Sequence, residues 1–383
     1  MMQNSMADVI IVGAGPAGSR VAFQLGSRNH DVILLEKRRT LGEPVCCTGI
    51  VSPECLAEFK IDTGLILRRF SGARVHSPSG ETIHIKRSTT QAIIIDRAAF
   101  DREMTEKACA AGARLELGST VNCIEILPDR VVVHALRNQE PCQFTARSVV
   151  IAAGLTQKLT TQLGVGAVKD FAVGVQLDVE GAGITELEVF LGASVAPGFF
   201  AWKVPTSPGQ AKLGMIVRDH PVEHMQAFTD LLNKVSGTIA PVGRPVCRPI
   251  PLARLEKTFG ERLLVVGDAA GQVKTTTGGG LYYGLLCADL AANTLHEALL
   301  RDTLQAGYLK SYEKAWHRRL RRDMFLGKLA RNFILEHGDR HLDNLIRKTH
   351  QSGLLKRLLD DDRLSFDWHG AAFLEWATGL FRR

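Results

Sequence analysis

A glycine-rich turn near the N-terminus constrains the fold of this chain more than any other feature. An apolar run at residues 8–12 leads into Gly13-Ala14-Gly15-Pro16-Ala17-Gly18, which has glycine at the three positions of the dinucleotide fingerprint. Residues 19–26 predict a helix, and a second apolar run ends at Glu36. In such a βαβ unit the glycines permit a tight turn, admit a pyrophosphate and allow close helix packing, while the acid binds ribose hydroxyls. The segment predicts a dinucleotide site, and Glu36 favours a ribose without a 2′-phosphate, as in FAD or NAD.

A second glycine-rich segment lies far along the chain. Residues 262–266 form a short apolar run before Asp268, as expected of a buried strand with an acid at its carboxyl end. An aspartate there can hydrogen-bond a ribityl hydroxyl. Glycines at 278–280 have no Cβ, so their backbone can approach a flat ring closely, and a helix is predicted to begin near Leu281. The segment fits a second flavin contact; the alternative is a glycine-rich turn of an ordinary α/β domain.

Length and composition fit a globular enzyme. The 383 residues, 45% of them hydrophobic, suffice for a large core in one two-part domain or in two domains. No stretch approaches the roughly 18 uninterrupted apolar residues of a membrane span, and the N-terminus has no secretory signal, so we expect a cytoplasmic protein. The eight cysteines have neither disulfide-scaffold density nor paired Cys-x-x-Cys spacing, so we expect no metal site.

The net charge of +7 raises the possibility of a polyanionic partner. The basic residues are dispersed and lack an aromatic-interleaved recognition motif, which argues against nucleic acid. They are densest at residues 317–322, and apolar residues follow at helical spacing from Met324 to Phe333. This stretch predicts either an amphipathic surface for anionic lipid or a phosphorylated substrate, or a solvated helix face over a small core.

The pattern of strands changes along the chain. Segments 69–95 and 171–220 show alternating, strand-like patterns with turn residues, whereas their flanks alternate strands with helices. We therefore expect an α/β fold: a Rossmann-like FAD-binding domain with an inserted antiparallel-sheet substrate domain and a helical C-terminal region. The predicted limits are 7–70 with 96–165 and 245–300 for the FAD-binding domain, 71–95 with 166–244 for the sheet domain, and 301–383 for the helical region.

Two shorter segments add positions that can face a cofactor. Asp96 is a predicted helix N-cap and is followed by Arg97. Residues 149–154 predict a strand that ends in small residues at Gly154. Small residues there permit close approach of a cofactor, but they equally suit a plain strand end.

These motifs together resemble the geranylgeranyl reductase family of FAD-dependent oxidoreductases, within the class built like para-hydroxybenzoate hydroxylase. The resemblance spans roughly residues 8–290. The N-terminal fingerprint and the Asp-Arg-x-x-Phe-Asp segment at 96–101 are shared with many flavin monooxygenases and halogenases. The segment 267–284, with its threonine run and Tyr-Tyr-Gly end, is more specific to the reductases. Residues 44–50, Pro-Val-Cys-Cys-Thr-Gly-Ile, are similar to the family's segment that places a cysteine near the flavin ring.

The resemblance implies FAD contacts in both glycine-rich segments and between them. They are Gly13, Ala14, Gly15, Pro16, Ala17, Gly18, Glu36, Lys37, Cys47, Gly49, Arg97, Val121, Gly154, Asp268, Gly271, Gly279, Gly280 and Leu281. The cysteine segment is one residue shorter than in the typical family version, and Cys47 is preferred to Cys46 as the cysteine near the ring.

The family also has a substrate-pocket signature, Pro-x-x-Tyr-x-Trp-x-Phe-Pro, and residues 197–205 match its spacing. Phe200 replaces the Tyr and Val204 replaces the Phe, so a hydroxyl is lost while the apolar character remains. These two residues, with Phe199 and Trp202, are the expected substrate contacts. The alternative for each is a place in the core between sheet and helices. The lost hydroxyl leaves open whether a polyprenyl glycerophospholipid, the family's usual substrate, is also the substrate here.

The reaction implied by the resemblance is saturation of an isolated isoprenoid double bond. Such a bond has no carbonyl to stabilise negative charge, so it needs a strong hydride donor, which reduced flavin provides, and an acid at the opposite carbon. The protein must also exclude water and orient a flexible apolar chain. Cys47 and Tyr282 are the candidate acids, with Tyr283 as an alternative to Tyr282. A buried cysteine more often packs only as a small hydrophobe.

Three functions remain open at this point. The favoured one is a prenyl reductase that acts on geranylgeranyl chains of a lipid, a chlorophyll precursor, a quinone tail or a free diphosphate. The second is an aromatic hydroxylase or halogenase on the same scaffold, although only the second Trp of a halogenase Trp-x-Trp-x-Ile-Pro segment is present, at Trp202. The third is an electron-transfer flavoprotein, whose dehydrogenase version would need a cysteine cluster that the sequence lacks.

The electron donor follows less directly from the sequence. There is no second complete glycine fingerprint for NAD(P)H, so transiently bound NAD(P)H, reduced ferredoxin or another reduced carrier all remain admissible. A basic surface suits an acidic ferredoxin as well as a membrane. We expect an isoprenoid or other apolar small-molecule substrate and no nucleic-acid partner. Peripheral contact with the inner face of the membrane is a further option.

Overall fold

Three sheets and a group of C-terminal helices make up the protein in the computed structural model, which describes residues 6–181, 184–235, 237–351 and 366–378. The strands are β1 (Ala7–Val12), β2 (Val32–Leu35), β3 (Ile50–Val51), β4 (Ile66–Phe70), β5 (Gly72–His76), β6 (Thr82–Lys86), β7 (Ala92–Ile95), β8 (Arg114–Glu116), β9 (Ser119–Ile126), β10 (Val131–Arg137), β11 (Glu140–Ile151), β12 (Phe171–Gly181), β13 (Glu188–Leu191), β14 (Phe200–Ser207), β15 (Gln210–Val217), β16 (Ile239–Pro251), β17 (Phe259–Gly260) and β18 (Leu263–Val265). The helices are α1 (Pro16–Gly26), α2 (Pro53–Glu58), α3 (Arg97–Ala110), α4 (Gln157–Gln162), α5 (Pro221–Val235), α6 (Leu281–Leu300), α7 (Ala306–Gln351) and α8 (Gly370–Thr378).

The largest sheet is the nucleotide-binding sheet predicted from the sequence. Its order is β17-β18-β11-β1-β2-β8, with β9 and β10 alongside β11. β1 runs parallel to β2 and β11, and β11 runs parallel to β18. Helices α1, α3 and α6 cover one face, and β9, β10 and α4 pack on the other. The strands are therefore buried on both sides, which explains their continuous apolar runs. The prediction of a Rossmann-like fold is confirmed.

The register of this sheet brings distant segments to one edge. Val12 pairs with Leu35 and Ile151 pairs with Val265, so the four strands end side by side. The turns that follow them hold the glycine fingerprint, Glu36, Gly154 and Asp268. In open α/β sheets, ligands bind at the carboxyl ends of the strands.

The second sheet has seven strands in the order β16-β12-β15-β14-β13-β5-β6, and α5 packs on one face. Its neighbours are antiparallel, as predicted, except that β13 runs parallel to β5. A parallel pair needs a long crossover, and the chain provides one, because it leaves this sheet after β6 and returns to it only at β12. Strand β7 instead joins a small sheet with β3 and β4. The predicted domain limits remain a prediction.

The C-terminal helices are anchored to the nucleotide sheet. Trp316 and Tyr312 of α7 are fully buried; the Trp316 indole donates to Thr258 and the Tyr312 hydroxyl donates to the carbonyl of Val265. The helix is kinked at Gly338, where φ is +67°. Across the described parts of the chain, no helix is long and apolar enough to cross a membrane.

Candidate active site

The three fingerprint glycines have three different surroundings. A Cβ at Gly13 would meet the carbonyl of Ala152, and a Cβ at Gly18 would overlap the carbonyl oxygen of Gly13. A Cβ at Gly15 would meet no atom within 4 Å. The first glycine therefore lets the end of β1 lie against the end of β11, the third lets α1 pack against the end of β1, and the second leaves an open space in front of the helix. This division of roles is the one that a bound pyrophosphate requires.

The backbone at this turn presents donors to that space. Pro16 is at the start of α1, and Gly15 provides no side-chain cap, so the first N–H groups of the helix are free to bind an anion. The Glu36 carboxylate lies over the turn, where it accepts from the N–H of Ala14 at 2.9 Å and from the N–H of Arg38 at 3.0 Å. The acid is thus held beside the place where a ribose would follow the pyrophosphate.

The second glycine-rich segment meets the first in space. A Cβ at Gly267 would lie 3.1 Å from the Cβ of Ala17, and Gly284 of α6 also faces Ala17. The turn at Gly267 is held by Gln272, whose Oε1 accepts from the Gly267 N–H at 2.8 Å. Small side chains on both segments therefore allow the two motifs to touch.

Asp268 points its carboxylate into this junction. Its Oδ1 lies beside Gly280, where an added Cβ would be 3.0 Å away. No described residue hydrogen-bonds this carboxylate. Burial raises the pKa of Asp268, and the charge of Arg97 partly offsets that effect. A carboxylate in this position is available to accept hydrogen bonds from ligand hydroxyls.

Arg97 connects Asp268 to the cysteine segment. Its guanidinium pairs with Asp101 of the same helix at 2.8 Å and also contacts Cys47. Burial lowers the pKa of Arg97, but Asp101 and then Cys47 outweigh that effect and raise it, so the side chain stays charged. Asp96 caps this helix, as predicted, by accepting from the N–H of Ala99 at 3.0 Å.

Cys47 and Cys46 have different surroundings. Cys47 lines a cavity of about 330 Å³ together with Arg97 and residues from β12 and β15. The Cys46 thiol donates instead to the carbonyl of Val246 at 3.0 Å, and burial raises its pKa to about 12. The structure therefore separates a cysteine that faces a cavity from one that is fixed in the sheet.

Trp202 joins the seven-stranded sheet to the cysteine segment. Its indole Nε1 donates to the hydroxyl of Thr48 at 2.7 Å, next to Cys47. A Cβ at Gly214 on the neighbouring strand would overlap the indole ring, so only glycine leaves room for this orientation. Sequence reasoning missed Thr48, because nothing local marks it as the partner of a residue so distant in the chain.

The other predicted substrate contacts are in different environments. Phe200 packs against Trp202, with 5.5 Å between ring centroids. Phe199 lies between the guanidinium groups of Arg218 and Arg331, each 5.8 Å from its centroid. Val204 is fully buried in the cluster that joins the seven-stranded sheet to the small sheet, which is the core alternative considered above.

The phenol groups already have partners. The Tyr282 hydroxyl donates to Glu58 at 2.6 Å, and burial, followed by this bond, raises its pKa. The Tyr283 hydroxyl donates to Asp323 of α7 at 2.7 Å. Both protons are therefore directed to carboxylates within the helical layer.

The loop at 274–280 is held by the C-terminal segment, a feature that sequence reasoning missed. Lys274 is buried, pairs with Asp367 at 2.8 Å, and lies 4.4 Å from the ring centroid of Phe366. Thr276 hydrogen-bonds His369 at 2.7 Å. Burial and then the charge of Lys274 lower the pKa of His369 to about 4, so its ring is neutral near pH 7. We call these contacts the loop clamp.

At each of the three consecutive glycines of this loop, protein atoms and not an open space for the flavin ring lie where a Cβ would be. A Cβ at Gly278 would meet Ile216 and Ile250, a Cβ at Gly279 would meet the Lys274 side chain, and a Cβ at Gly280 would meet Val273 and Asp268. The absence of a Cβ atom therefore lets the loop pack closely, against the seven-stranded sheet at Gly278 and against neighbouring residues of its own segment at Gly279 and Gly280. The backbone at Gly278 also touches the apolar cluster that holds Phe199 and Trp202.

The remaining predicted contacts lie in the same segments. Gly154 follows β11 with φ of +70° and open space around it, whereas Gly49, with φ of +80°, lies directly under Arg97. Lys37 is exposed after Glu36, and Val121 packs on the apolar cluster under β1. Gly271 closes the turn after Asp268, and Leu281 is the first residue of α6. The open cradle at Gly15 and the free carboxylate of Asp268 fit FAD.

Comparison with known proteins agrees with this geometry. A family model described as pyridine nucleotide-disulphide oxidoreductase matches residues 7–188. The digeranylgeranylglycerophospholipid reductase of Methanosarcina mazei is 30% identical over 359 residues, which cover 88% of this chain and 87% of that protein. The chain belongs to the geranylgeranyl reductase family of FAD-dependent oxidoreductases. Another member, digeranylgeranylglycerophospholipid reductase 2 of Methanopyrus kandleri, is 27% identical, covering 91% of this chain and 92% of that protein.

Solved structures show the same fold for this reductase family member. A geranylgeranyl bacteriochlorophyll reductase-like protein from Thermoplasma acidophilum superposes with a TM-score of 0.85 at 22% identity, covering 94% of this chain and 97% of that one. A flavin-dependent brominase superposes with a TM-score of 0.71 at 17% identity, covering 98% and 99%. At these identities the likeness to a halogenase concerns the fold alone.

The first prediction concerns the open space at Gly15. In Gly15→Ala, we expect FAD to bind at least about tenfold more weakly, because the new methyl group fills the pyrophosphate space. The unfolding free energy of the FAD-free protein should be unchanged, because the methyl group meets no protein atom. Flavin fluorescence titration and urea unfolding measure the two quantities. Gly18→Ala is the matched control, which should destabilise the fold itself. If Gly15→Ala binds FAD as tightly as the wild type, the space at Gly15 is not the pyrophosphate site.

The second prediction concerns the loop clamp. Lys274→Met leaves Asp367 buried without its partner, so the loop should loosen and FAD should bind roughly tenfold more weakly. The double variant Lys274→Met/Asp367→Leu removes both charges and should recover most of that loss. The double-mutant cycle is completed by measuring FAD affinity for the wild type, Asp367→Leu and these two variants. Additive effects of the two substitutions would show that the ion pair does not hold the loop.

Proposed function

We propose that this geranylgeranyl reductase family member saturates the carbon–carbon double bonds of geranylgeranyl or other isoprenoid chains. The carrier of the chain would be a lipid, a chlorophyll precursor, a quinone tail or a free diphosphate. Membership of the family at 30% identity over most of the chain carries the proposal. Because the named relatives are digeranylgeranylglycerophospholipid reductases, a prenylated glycerophospholipid is the first substrate to test.

The proposed cofactor site is the edge where the two glycine-rich segments meet. Gly15 and the start of α1 would hold the pyrophosphate, Glu36 a ribose, and Asp268 a ribityl hydroxyl. FAD bound there and reduced would supply hydride for the reaction. The partly buried Arg97–Asp101 pair and the loop clamp would fix the two sides of the site around it.

The proposed substrate site is the aromatic side of β14. Phe200 and Trp202 lie on one face of the strand, and Trp202 is tied to Thr48 beside Cys47. Phe199 and Trp202 share an apolar cluster with Ile250, which also contacts the loop at Gly278. An apolar chain that lies along these rings would run past Cys47 and exclude water from it. Without the family's tyrosine hydroxyl, the pocket orients its substrate by shape.

Cys47 is the proposed proton donor for the second carbon of the double bond. It faces a cavity and touches the charged Arg97 side chain. The alternative donor, Tyr282, already donates its proton to Glu58 and would have to break that bond first. The geometry therefore favours the thiol of Cys47 over the phenol of Tyr282.

Electrons would come from transiently bound NAD(P)H or from reduced ferredoxin. The basic surface suits ferredoxin, because ferredoxin is an acidic protein. An isoprenoid lipid resides in a membrane, so we also propose peripheral contact with the inner face of the membrane. A cytoplasmic enzyme with such contact would reach its substrate from the aqueous side.

The third prediction tests the reaction. The FAD-loaded protein, reduced anaerobically with dithionite, is incubated in parallel with a digeranylgeranyl glycerophospholipid, geranylgeranyl diphosphate and a geranylgeranylated quinone. We expect at least one product to gain two mass units for each saturated double bond, with the phospholipid favoured. Mass spectrometry of the extracted products decides this. A product that gains an oxygen atom in air, with no saturation of any prenyl chain, would contradict the proposal.

The fourth prediction separates the two neighbouring cysteines. Cys47→Ala should lower kcat by roughly a hundredfold or more, the usual contribution of a positioned acid, while FAD content stays the same. Cys46→Ala should leave kcat close to the wild-type value, because its thiol bonds only to strand carbonyls. Steady-state kinetics on the accepted substrate give both values. Equal effects of the two substitutions would remove Cys47 as the proton donor.

A further inference from the structure

The solvent-facing side of α7 carries cationic and large apolar side chains in one stripe. The cations are Arg318, Arg321, Arg322 and Lys328, and the apolar side chains are Phe325 and Leu329. At 100° of rotation per residue, all lie within roughly 60° of Phe325 around the helix axis. We call this set the α7 stripe. The sequence alone predicted either a surface for anionic lipid or a phosphorylated substrate, or a solvated helix face, in this region.

The apolar members of the stripe are exposed to solvent. Phe325 is 59% exposed and Leu329 is 40% exposed, although the same helix buries Trp316, Leu320 and Ala330 on its other side. A solvated helix face does not require large apolar side chains there. Exposed apolar groups rimmed by charge are typical of interaction surfaces.

The positive charge of the stripe is not neutralised by its surroundings. Among the described residues, no carboxylate pairs with any of its four cations. Asp323, the acid within the same span, faces the interior, where it accepts from Tyr283 at 2.7 Å and from the N–H of Gly370 at 2.7 Å. The first acid beyond the apolar pair on this helix is Glu336. The stripe is therefore a net cationic, apolar-centred surface.

Beyond the stripe, the same helix touches the proposed substrate site. Leu335, which is 44% exposed, lies against Gly198, where an added Cβ would be 2.6 Å from its Cδ2. One turn earlier, Arg331 covers the ring of Phe199 and donates to the carbonyl of Thr275 in the clamped loop at 3.3 Å. Whatever binds the α7 stripe would lie next to the pocket segment.

We propose that the α7 stripe docks the protein on an anionic lipid bilayer, beside the substrate segment at Gly198–Phe199. This inference rests on the proposed function, because it takes an isoprenoid lipid as the substrate. Arginine and lysine side chains gain from an anionic lipid surface, and exposed Phe and Leu gain from the boundary with the acyl chains. A prenyl chain could then pass from the bilayer toward Phe199 without crossing water.

An acidic protein partner fits these observations less well. It would pair with the four cations, but the apolar centre at Phe325 and Leu329 needs a phase that accepts apolar groups as well. A bilayer with anionic headgroups offers both in one surface. The stripe also lies on the helix that contacts the pocket segment, where a lipid is needed and an electron carrier is not.

The fifth prediction is tested by flotation of the FAD-loaded protein with vesicles. We expect binding to vesicles of phosphatidylcholine with phosphatidylglycerol, weak binding to pure phosphatidylcholine, and release by salt. Arg318→Glu/Arg322→Glu and Phe325→Ser/Leu329→Ser should each lower the partition coefficient at least tenfold. Wild-type binding by both variants, or no binding of the wild type to the anionic vesicles, would overturn the inference.

A matched control lies on α5. Leu231 and Val235 are 38% and 66% exposed and have the same four-residue spacing as Phe325 and Leu329. Leu231→Ser/Val235→Ser should bind vesicles like the wild type, because α5 packs on the seven-stranded sheet and includes none of the stripe's residues. If this variant loses binding as strongly as the stripe variants, membrane contact is a general effect of exposed apolar groups, and the stripe is not the docking surface.

The same variants separate this inference from the proposed function. Reduction of a detergent-dispersed prenyl substrate should be unchanged in both stripe variants, since none of the substituted residues contacts the pocket segment. Reduction of the same substrate in anionic vesicles should fall at least tenfold. Vesicle binding through the stripe without any prenyl reduction would support the docking surface and contradict the proposed function. A third outcome is that the stripe variants bind vesicles normally but their flavin is no longer reduced by an acidic protein donor. That outcome would assign the stripe to the donor and overturn the docking inference.

Discussion

The close approach of α1 to the end of β1 is the constraint on which the rest of the site depends. Gly18 has no Cβ, so the helix can pass over the carbonyl of Gly13, and the strand ends of β2, β11 and β18 lie alongside. This packing leaves the space at Gly15 open and places Glu36 over the turn. One backbone contact therefore creates the anion-binding end of a helix at the edge where the strands terminate.

The second requirement is a fixed loop before α6, and the C-terminal helices provide it. The loop packs closely at its glycines, and contacts from outside also hold its shape, chiefly the buried Lys274–Asp367 pair. Helix α7 connects this loop to two further features. It contacts the pocket segment through Arg331 and Leu335, and it presents the cationic stripe to solvent. A single helix thus links the loop before α6, the proposed substrate segment and the surface.

Local sequence patterns predicted the parts of the fold that are determined locally. The glycine turn, the cap at Asp96 and the start of α6 at Leu281 depend on residues within one turn, and the structure contains them. The clamp and the bond from Trp202 to Thr48 join residues far apart in sequence, so no local pattern marks them. The parallel pairing of β13 with β5 is likewise set by topology. The functional assignment of Cys47 and Tyr282 depends on side-chain partners, which only the three-dimensional arrangement reveals.

Hydride transfer from this protein's flavin to an isoprenoid double bond can be observed in a single turnover. The flavin of the purified holoenzyme is photoreduced without oxygen and mixed with a geranylgeranyl substrate, and its reoxidation is followed alongside the product mass. We expect reoxidation to need only the prenyl substrate and to saturate one double bond per flavin. Reduced flavin that stays stable with every prenyl substrate, and reoxidises only when oxygen or an acceptor protein is added, would contradict it.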